Sequence, residues 1–317
     1  LAARLFARIE RSTGVSLPHG ALLEHQTVEQ LATLIRARRQ GTGVHPPGPF
    51  FVVPIHAGGT RAPFFCVHGA GGNVLNLVAL GRHLASDRPF YGVQARGLDG
   101  VEPPFSSIEQ MADAYLAEIR AVQPRGPYFL GGYCGGGLVA YEMAQRLRAT
   151  GERVALLALI DSPSPLLPPP ESRIRRWSRM LREKDAGSIL ERARLKWRRD
   201  TGAARTAGAL RFHKGRGGPI PHELRDQWLT NEFMQTAASY EIRPYSGELV
   251  LFRARDESVA GPANLGWGDL AAGGLRVEDV PGDHHSLAEE PHVRVLGTKL
   301  EVFLQRAESL SPEAISA

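Results

Sequence analysis

The apolar positions of this chain change their spacing as the chain proceeds. Over residues 1–39 they recur at helical intervals. Leu1, Leu5, Phe6 and Ile9 share one face, with Arg4, Arg8 and Arg11 opposite, and Val28, Leu31, Leu34 and Ile35 form a second stripe. Gly14 stops the first helix, Val15–Pro18 is an extended link, and Thr27 with Gln30 three residues later has the form of a capping box for the second. Two short helices enclose too little apolar surface to stand alone, so residues 1–40 read as the tail of a larger bundle. Gly41-Thr-Gly-Val-His-Pro-Pro-Gly-Pro49 then reads as a linker, residues 41–50, stiffened by its prolines.

From Phe51 onward, short solid apolar runs alternate with helical patterns. The runs predict strands at Phe51–Pro54, Phe64–His68, Phe90–Val93, Tyr128–Gly131, Ala155–Ile160, Glu248–Arg253 and Leu275–Val280. Between them helices are expected at Val74–Ala85, Ile108–Val122, Gly137–Thr150 and Val293–Arg306, with Ser107 and Gln110 forming another capping box. Consecutive apolar residues in a strand mean that both faces of the sheet are covered. The expected class is therefore α/β: a doubly wound, mostly parallel sheet with helices on both sides, over residues 51–310.

Between Ser162 and Tyr245 the alternation stops. Ser162-Pro-Ser-Pro-Leu-Leu-Pro-Pro-Pro170 leads the chain out of the sheet, and amphipathic stretches follow at Ile174–Arg182, Ser188–Arg199 and Glu223–Glu241, with a break at Lys214–Pro219. An insertion of this size in this place predicts a helical lid, about residues 163–245, whose Trp177, Trp197 and Trp228 are candidates to shape an acyl pocket or simply to pack the lid.

Composition narrows the class. The chain has 317 residues and 43% hydrophobic content, enough for one large domain and a small one. No apolar run approaches the roughly 20 residues of a membrane helix. There is neither an initiating Met nor a signal-peptide layout, so the sequence reads as a piece of something longer, and cytoplasmic. The net charge of +5 is concentrated: Glu171–Asp200 holds 11 Lys/Arg against 5 Asp/Glu, leaving the rest near −1. No nucleic-acid or membrane signature accompanies that stretch, and neither partner is expected. Two cysteines, Cys66 and Cys134, make no disulfide framework and suit a reducing compartment; Cys66 reads as a buried strand residue.

Candidate chemistry gathers around Gly131-Gly132-Tyr133-Cys134-Gly135-Gly136-Gly137. A buried strand, a sharp turn with glycines on both sides and a helix make a nucleophile elbow, here with cysteine at the apex. At a helix start, unpaired amides and the helix dipole favour a thiolate and an oxyanion. A thiol nucleophile needs a base and an orienting acid, in the chain order nucleophile, acid, histidine. Asp161 ends the strand after the elbow helix. The histidine comes late, in Val280-Pro-Gly-Asp-His-His285, where chemistry alone does not separate His284 from His285. His19, His25, His45, His213 and His222 read as exposed loop or helix residues. The loop His68-Gly69-Ala70-Gly71-Gly72 has small residues that free backbone amides, so the oxyanion donors are expected at Ala70 and Gly135. The same glycines lack both phosphate-binding fingerprints. No metal is expected.

Two resemblances follow. Leu1–Glu10 and Leu22–Ala32 resemble the C-terminal half of an acyl- or peptidyl-carrier domain, whose phosphopantetheine-bearing serine lies just outside this sequence. Phe65–Gly72, Tyr128–Gly137, Leu159–Ser162, Gly282-Asp-His284 and Glu290–Val293 resemble the C-terminal thioesterase domains of nonribosomal peptide and polyketide synthases, of the α/β-hydrolase fold. That resemblance implies Cys134 as nucleophile, Asp161 as acid and His284 rather than His285 as base. It also implies an upstream carrier and synthase modules as partners, and an acyl or peptidyl thioester substrate. The domain itself would bind no cofactor, the substrate arriving on the carrier's phosphopantetheine. The family usually has serine at the elbow, so Cys134 is read as a natural variant, an introduced replacement or a dead site. A natural cysteine would keep the acyl group activated as a thioester and suit ring closure; cysteine members include domains that form β-lactones or β-lactams. The alternatives are a cysteine hydrolase of free small esters or lactones, and a non-catalytic carrier-docking module.

Overall fold

The computed structural model describes residues 2–15, 17, 21–25, 27–40, 51–167, 208–210, 212, 213, 215, 218–256 and 262–310. The linker 41–50, the lid stretches 174–182 and 188–199, Trp177, Trp197, His19, His45 and half of the Lys214–Pro219 break (Lys214, Arg216 and Gly217) lie outside the described residues.

Seven strands form one sheet. In chain order they are β1 (Val52–His56), β2 (Phe64–Val67), β3 (Phe90–Val93), β4 (Tyr128–Tyr133), β5 (Val154–Ile160), β6 (Leu249–Ala254) and β7 (Leu275–Val280). Their spatial order is β1-β3-β2-β4-β5-β6-β7, and only the β1–β3 pairing is antiparallel. Each sequence-predicted strand is present, with ends shifted by up to two residues. From β2 the chain moves to one side to make β3, then crosses back to make β4 on the other. The crevice beyond the carboxyl ends of β2 and β4 is thus the switch point where sheets of this kind place ligands.

Both faces of the sheet are covered, which explains the solid apolar runs. Alternate residues such as Phe65, Val67, Leu130, Leu157 and Leu251 join one buried cluster with α5 (Ile108–Val122) and α6 (Gly136–Ala149). Their neighbours Phe64, Cys66, Phe129, Ile160 and Phe252 join a second with α4 (Leu77–Gly81) and the C-terminal helix, α8 here (His292–Ser309). Cys66 is buried, as expected, and burial pushes its thiol up.

Three local expectations are corrected. The helix predicted at Val74–Ala85 contracts to the five residues of α4. The Ser107 hydroxyl accepts from the Gln110 N–H, but the Gln110 side chain accepts from Ser106 and not Ser107, so α5 has an N-cap without the full box. His222 is buried and not exposed.

The N-terminal segment has one more element than expected: α1 (Ala2–Thr13), the single turn α2 (Ala21–Glu24) and α3 (Val28–Arg39). The capping box at Thr27 and Gln30 is fully formed, and Gly14 ends α1 at φ 71°. Phe6, Val15, Leu17 and Ala21 make a small buried cluster. This segment packs on the described lid helix, α7 here (His222–Ala238). The rings of Phe6 and His222 lie 6.1 Å apart, and Arg11 pairs with Glu223 at 3.0 Å. Arg225 is buried, donating to the Ile220 carbonyl at 2.9 Å and to Glu10 at 2.7 Å. A buried guanidinium paired with a carboxylate is costly to leave half paired. Replacing Glu10 with Ala should therefore lower stability by roughly 2–4 kcal/mol in urea unfolding. A loss no larger than that of an exposed Glu→Ala control would show that the contact carries no weight.

Candidate active site

The turn after β4 carries Cys134 at φ 53°, a left-handed backbone conformation that costs a non-glycine residue free energy. Its amide is held by the Ile160 carbonyl at 2.9 Å. The turn closes because Gly132 and Gly136 lack side chains. A Cβ on Gly132 would lie 2.3 Å from the Gly136 carbonyl carbon, and one on Gly136 would lie 2.0 Å from the His68 oxygen. β4, the start of α6 and the end of β2 therefore meet backbone to backbone, with the thiol beside the start of α6.

The acid comes from the end of β5 and the histidine from the loop after β7, two strands further along the sheet. Asp161 follows β5, also at positive φ (43°); its Oδ1 accepts from the Ala254 N–H at 2.8 Å and its Oδ2 lies 2.6 Å from His284 Nδ1. His284 sits in the loop after β7. There Gly282 takes φ 92°, and the Asp283 carboxylate accepts from the N–H groups of His285 and Ser286. Nδ1 being engaged by Asp161, the other ring nitrogen remains for the Cys134 thiol. His285 is exposed and turned edge-on to His284, so the structure separates two histidines that the sequence alone left equivalent.

The electrostatics favour charge separation. Burial pushes the Cys134 thiol up, but the hydrogen bond and charge of His284, with the N–H groups of Gly135 and Ala70, outweigh it and hold the thiol below its ordinary value. Burial lowers His284, and its bonds to Asp161 and Cys134 more than reverse this, raising it to about 10. Both shifts run in the direction that favours a thiolate–imidazolium pair, the state that makes a cysteine a strong nucleophile near neutral pH. The amides of Ala70 and Gly135, both expected as oxyanion donors, are among the causes that lower the thiol.

Other contributors were not anticipated. Tyr133 stacks on the His284 ring (5.5 Å, 16°) and donates its hydroxyl to the His284 carbonyl at 2.6 Å. Its place just before the apex was the one available signal. Helix α7 roofs the site: a Cβ on Gly135 would lie 2.4 Å from Phe233, and one on Gly72 3.0 Å from Leu229. Phe233 and Leu229 line an apolar cleft with Ala70, Phe105, Met111 and Tyr115, reached from the oxyanion loop. Trp228 is buried against Leu98, Leu210 and Ile220, which makes it lid packing and not a wall of the cleft.

Residues 62–200 match the family model of the thioesterase domain. That stretch is similar to thioesterase domains. Malpibaldin synthetase of Mortierella alpina is 30% identical over 319 residues, a match that covers 97% of this chain and 5% of that protein. The chain likewise spans 2% of the length of malpinin synthetase from the same organism, 43% identical over 165 residues. Among solved structures, the Vlm2 thioesterase domain bound with a dodecadepsipeptide superposes at a TM-score of 0.56 with 25% identity, covering 80% of this chain and 97% of Vlm2. The shared architecture is that of an α/β thioesterase domain. Among the described residues, no helix is long and apolar enough to cross a membrane, and no group of three or more His, Cys, Asp or Glu side chains is placed to hold a metal ion.

The opposed shifts of Cys134 and His284 make a prediction about pH. Thiolate forms as pH rises through the lowered thiol value, while His284 keeps its proton until about 10. Alkylation of Cys134 by iodoacetamide should therefore rise with an inflection below the ~8.5 of a free cysteine. In His284→Ala the partner is lost, burial dominates and the inflection should move above that value. Inflections that coincide in the two proteins would contradict the pairing.

Proposed function

We propose that this domain releases an acyl or peptidyl chain from the phosphopantetheine arm of a carrier by way of an acyl-Cys134 intermediate. One observation carries the reading: Cys134 stands at the strained apex of the elbow, at φ 53° beside the start of α6, and His284, bonded to Asp161 at 2.6 Å, acts with the Gly135 and Ala70 amides to hold its thiol below the ordinary value. The thiolate attacks the thioester carbonyl carbon, and the Ala70 and Gly135 amides hold the resulting oxyanion. The carbon–sulfur bond to pantetheine breaks as the His284 imidazolium gives its proton to the leaving thiol. One thioester has replaced another, and His284 is now neutral. It next takes a proton from water or from a hydroxyl or amine of the chain, whose attack expels the Cys134 thiolate and restores the ion pair. Water gives the free acid; an internal nucleophile gives a lactone or lactam.

Because the acyl group remains a thioester throughout, it stays activated toward weak or strained internal nucleophiles, which favours ring closure over a serine-bound ester. The N-terminal helices, seated on α7, support delivery by a carrier upstream of the lid, and synthases such as the malpibaldin enzyme supply the context of further modules. The dodecadepsipeptide on Vlm2 supports a peptidyl or ester-linked chain as the substrate class.

Intact-mass spectrometry after exposure to a short acyl-pantetheine thioester tests the reading. The chain should gain one acyl group and Cys134→Ala none. Asp161→Asn should be acylated but release product roughly a hundredfold more slowly or worse, since the imidazole loses its orienting charge. Equal labelling of the Cys134→Ala variant, or turnover unaffected by it, would remove Cys134 from the reaction.

A further inference from the structure

His68 follows β2 and is fully buried, with no part in the Cys134, His284 and Asp161 arrangement. Its Nδ1 lies 2.6 Å from the carbonyl oxygen of Gly69, and its Nε2 2.9 Å from the Tyr115 hydroxyl. A carbonyl oxygen only accepts, so Nδ1 carries the proton. A neutral ring then leaves Nε2 as an acceptor, and the Tyr115 hydroxyl donates to it. Burial lowers His68 to about 4, against the opposing bond to Gly69, which keeps the ring neutral wherever the thiolate is formed. Tyr115 is itself fixed by the rings of Phe51 and Phe105, at 5.2 and 6.2 Å.

The Gly69 oxygen belongs to the same peptide unit as the Ala70 N–H. In a planar trans peptide these two groups point in opposite directions. Holding the oxygen on the His68 side therefore turns the N–H to the other side; the loop lies against the elbow, where a Cβ on Gly69 would stand 3.7 Å from the Cys134 Cβ, and the Ala70 N–H helps to lower the Cys134 thiol. The same oxygen also accepts from the Gly72 N–H at 2.8 Å, closing the loop into a turn. The turn bond fixes the loop's curvature, and the bond from His68 adds a second anchor that opposes rotation of the Gly69–Ala70 plane. We propose that His68, braced by Tyr115, is a positioning residue that aims the Ala70 amide at the reacting oxygen and sulfur. The proposal rests on the reading that Cys134 becomes acylated.

The consequence is confined to one donor. Losing an oxyanion donor outright costs about 10²–10³ in rate, so losing its anchor should cost roughly tenfold to a hundredfold. The experiment uses the full chain with a short acyl-pantetheine thioester, following single-turnover acylation of Cys134 by intact mass, and iodoacetamide alkylation against pH. His68→Ala should slow acylation by that factor, with half-saturation changed less than about threefold, and should move the alkylation inflection to higher pH because the thiolate loses a donor. His68→Asn, whose side-chain N–H can stand where Nδ1–H stood, should recover most of both. Acylation of His68→Ala within about twofold of the parent, a His68→Asn variant as slow as His68→Ala, or a loss expressed only in half-saturation would overturn the proposal. A parent chain that takes no acyl group would instead refute the acyl-enzyme reading. The alkylation profiles would then still decide on His68, an unmoved inflection in His68→Ala counting against it.

Discussion

The site depends on three backbone segments coming closer than side chains would allow. The elbow can hold Cys134 at φ 53° only because Gly132 and Gly136 leave nothing between β4, the first turn of α6 and the end of β2. The strain is offset by the amide's bond to Ile160 and by the burial of the strands on either side. Once the elbow is formed, the rest follows from the sheet. The oxyanion loop continues β2, Asp161 continues β5 and His284 follows β7, all at the carboxyl edge. The catalytic geometry is a consequence of strand order, which is why residues 134, 161 and 284 meet despite their separation in the chain.

On that frame the chemistry is set by charges that support one another. A buried thiolate alone would be costly, as would a buried imidazolium. Together, with Asp161 behind the ring and two amides before the sulfur, each charge offsets the burial of the other. A serine in the same place would surrender its proton only during attack, because an alkoxide is not accessible near neutral pH. In the proposed ion pair the thiol has surrendered it beforehand. His284 therefore starts the cycle as an acid for the leaving pantetheine and becomes a base only in the second half, the reverse of a reading in which it first removes the thiol proton.

Much of this was legible in the sequence, for physical reasons. Glycines around Cys134 announce a close backbone approach, and solid strands such as Phe64–Val67 and Val154–Ile160 announce a sheet covered on both faces. The strand-end positions of Asp161 and His284 follow from the α/β alternation. What was not legible lies in contacts that periodicity does not encode. Nothing local in Ile108–Val122 says that Tyr115 reaches His68, and only packing makes His222 a buried partner of Phe6. The helix expected at Val74–Ala85 fell short because apolar spacing alone does not report where a chain must turn to cover the sheet.

The central claim is that the proton rests on His284 and not on Cys134 before substrate arrives. Nitrogen-15 NMR of the His284 ring, recorded near pH 8 in this chain and in Cys134→Ala, tests it most directly. The account predicts an imidazolium signature, with both ring nitrogens protonated, in the parent chain, and a neutral ring once the thiolate is removed. A neutral His284 ring in the parent chain at that pH would contradict it and return the thiol proton to Cys134.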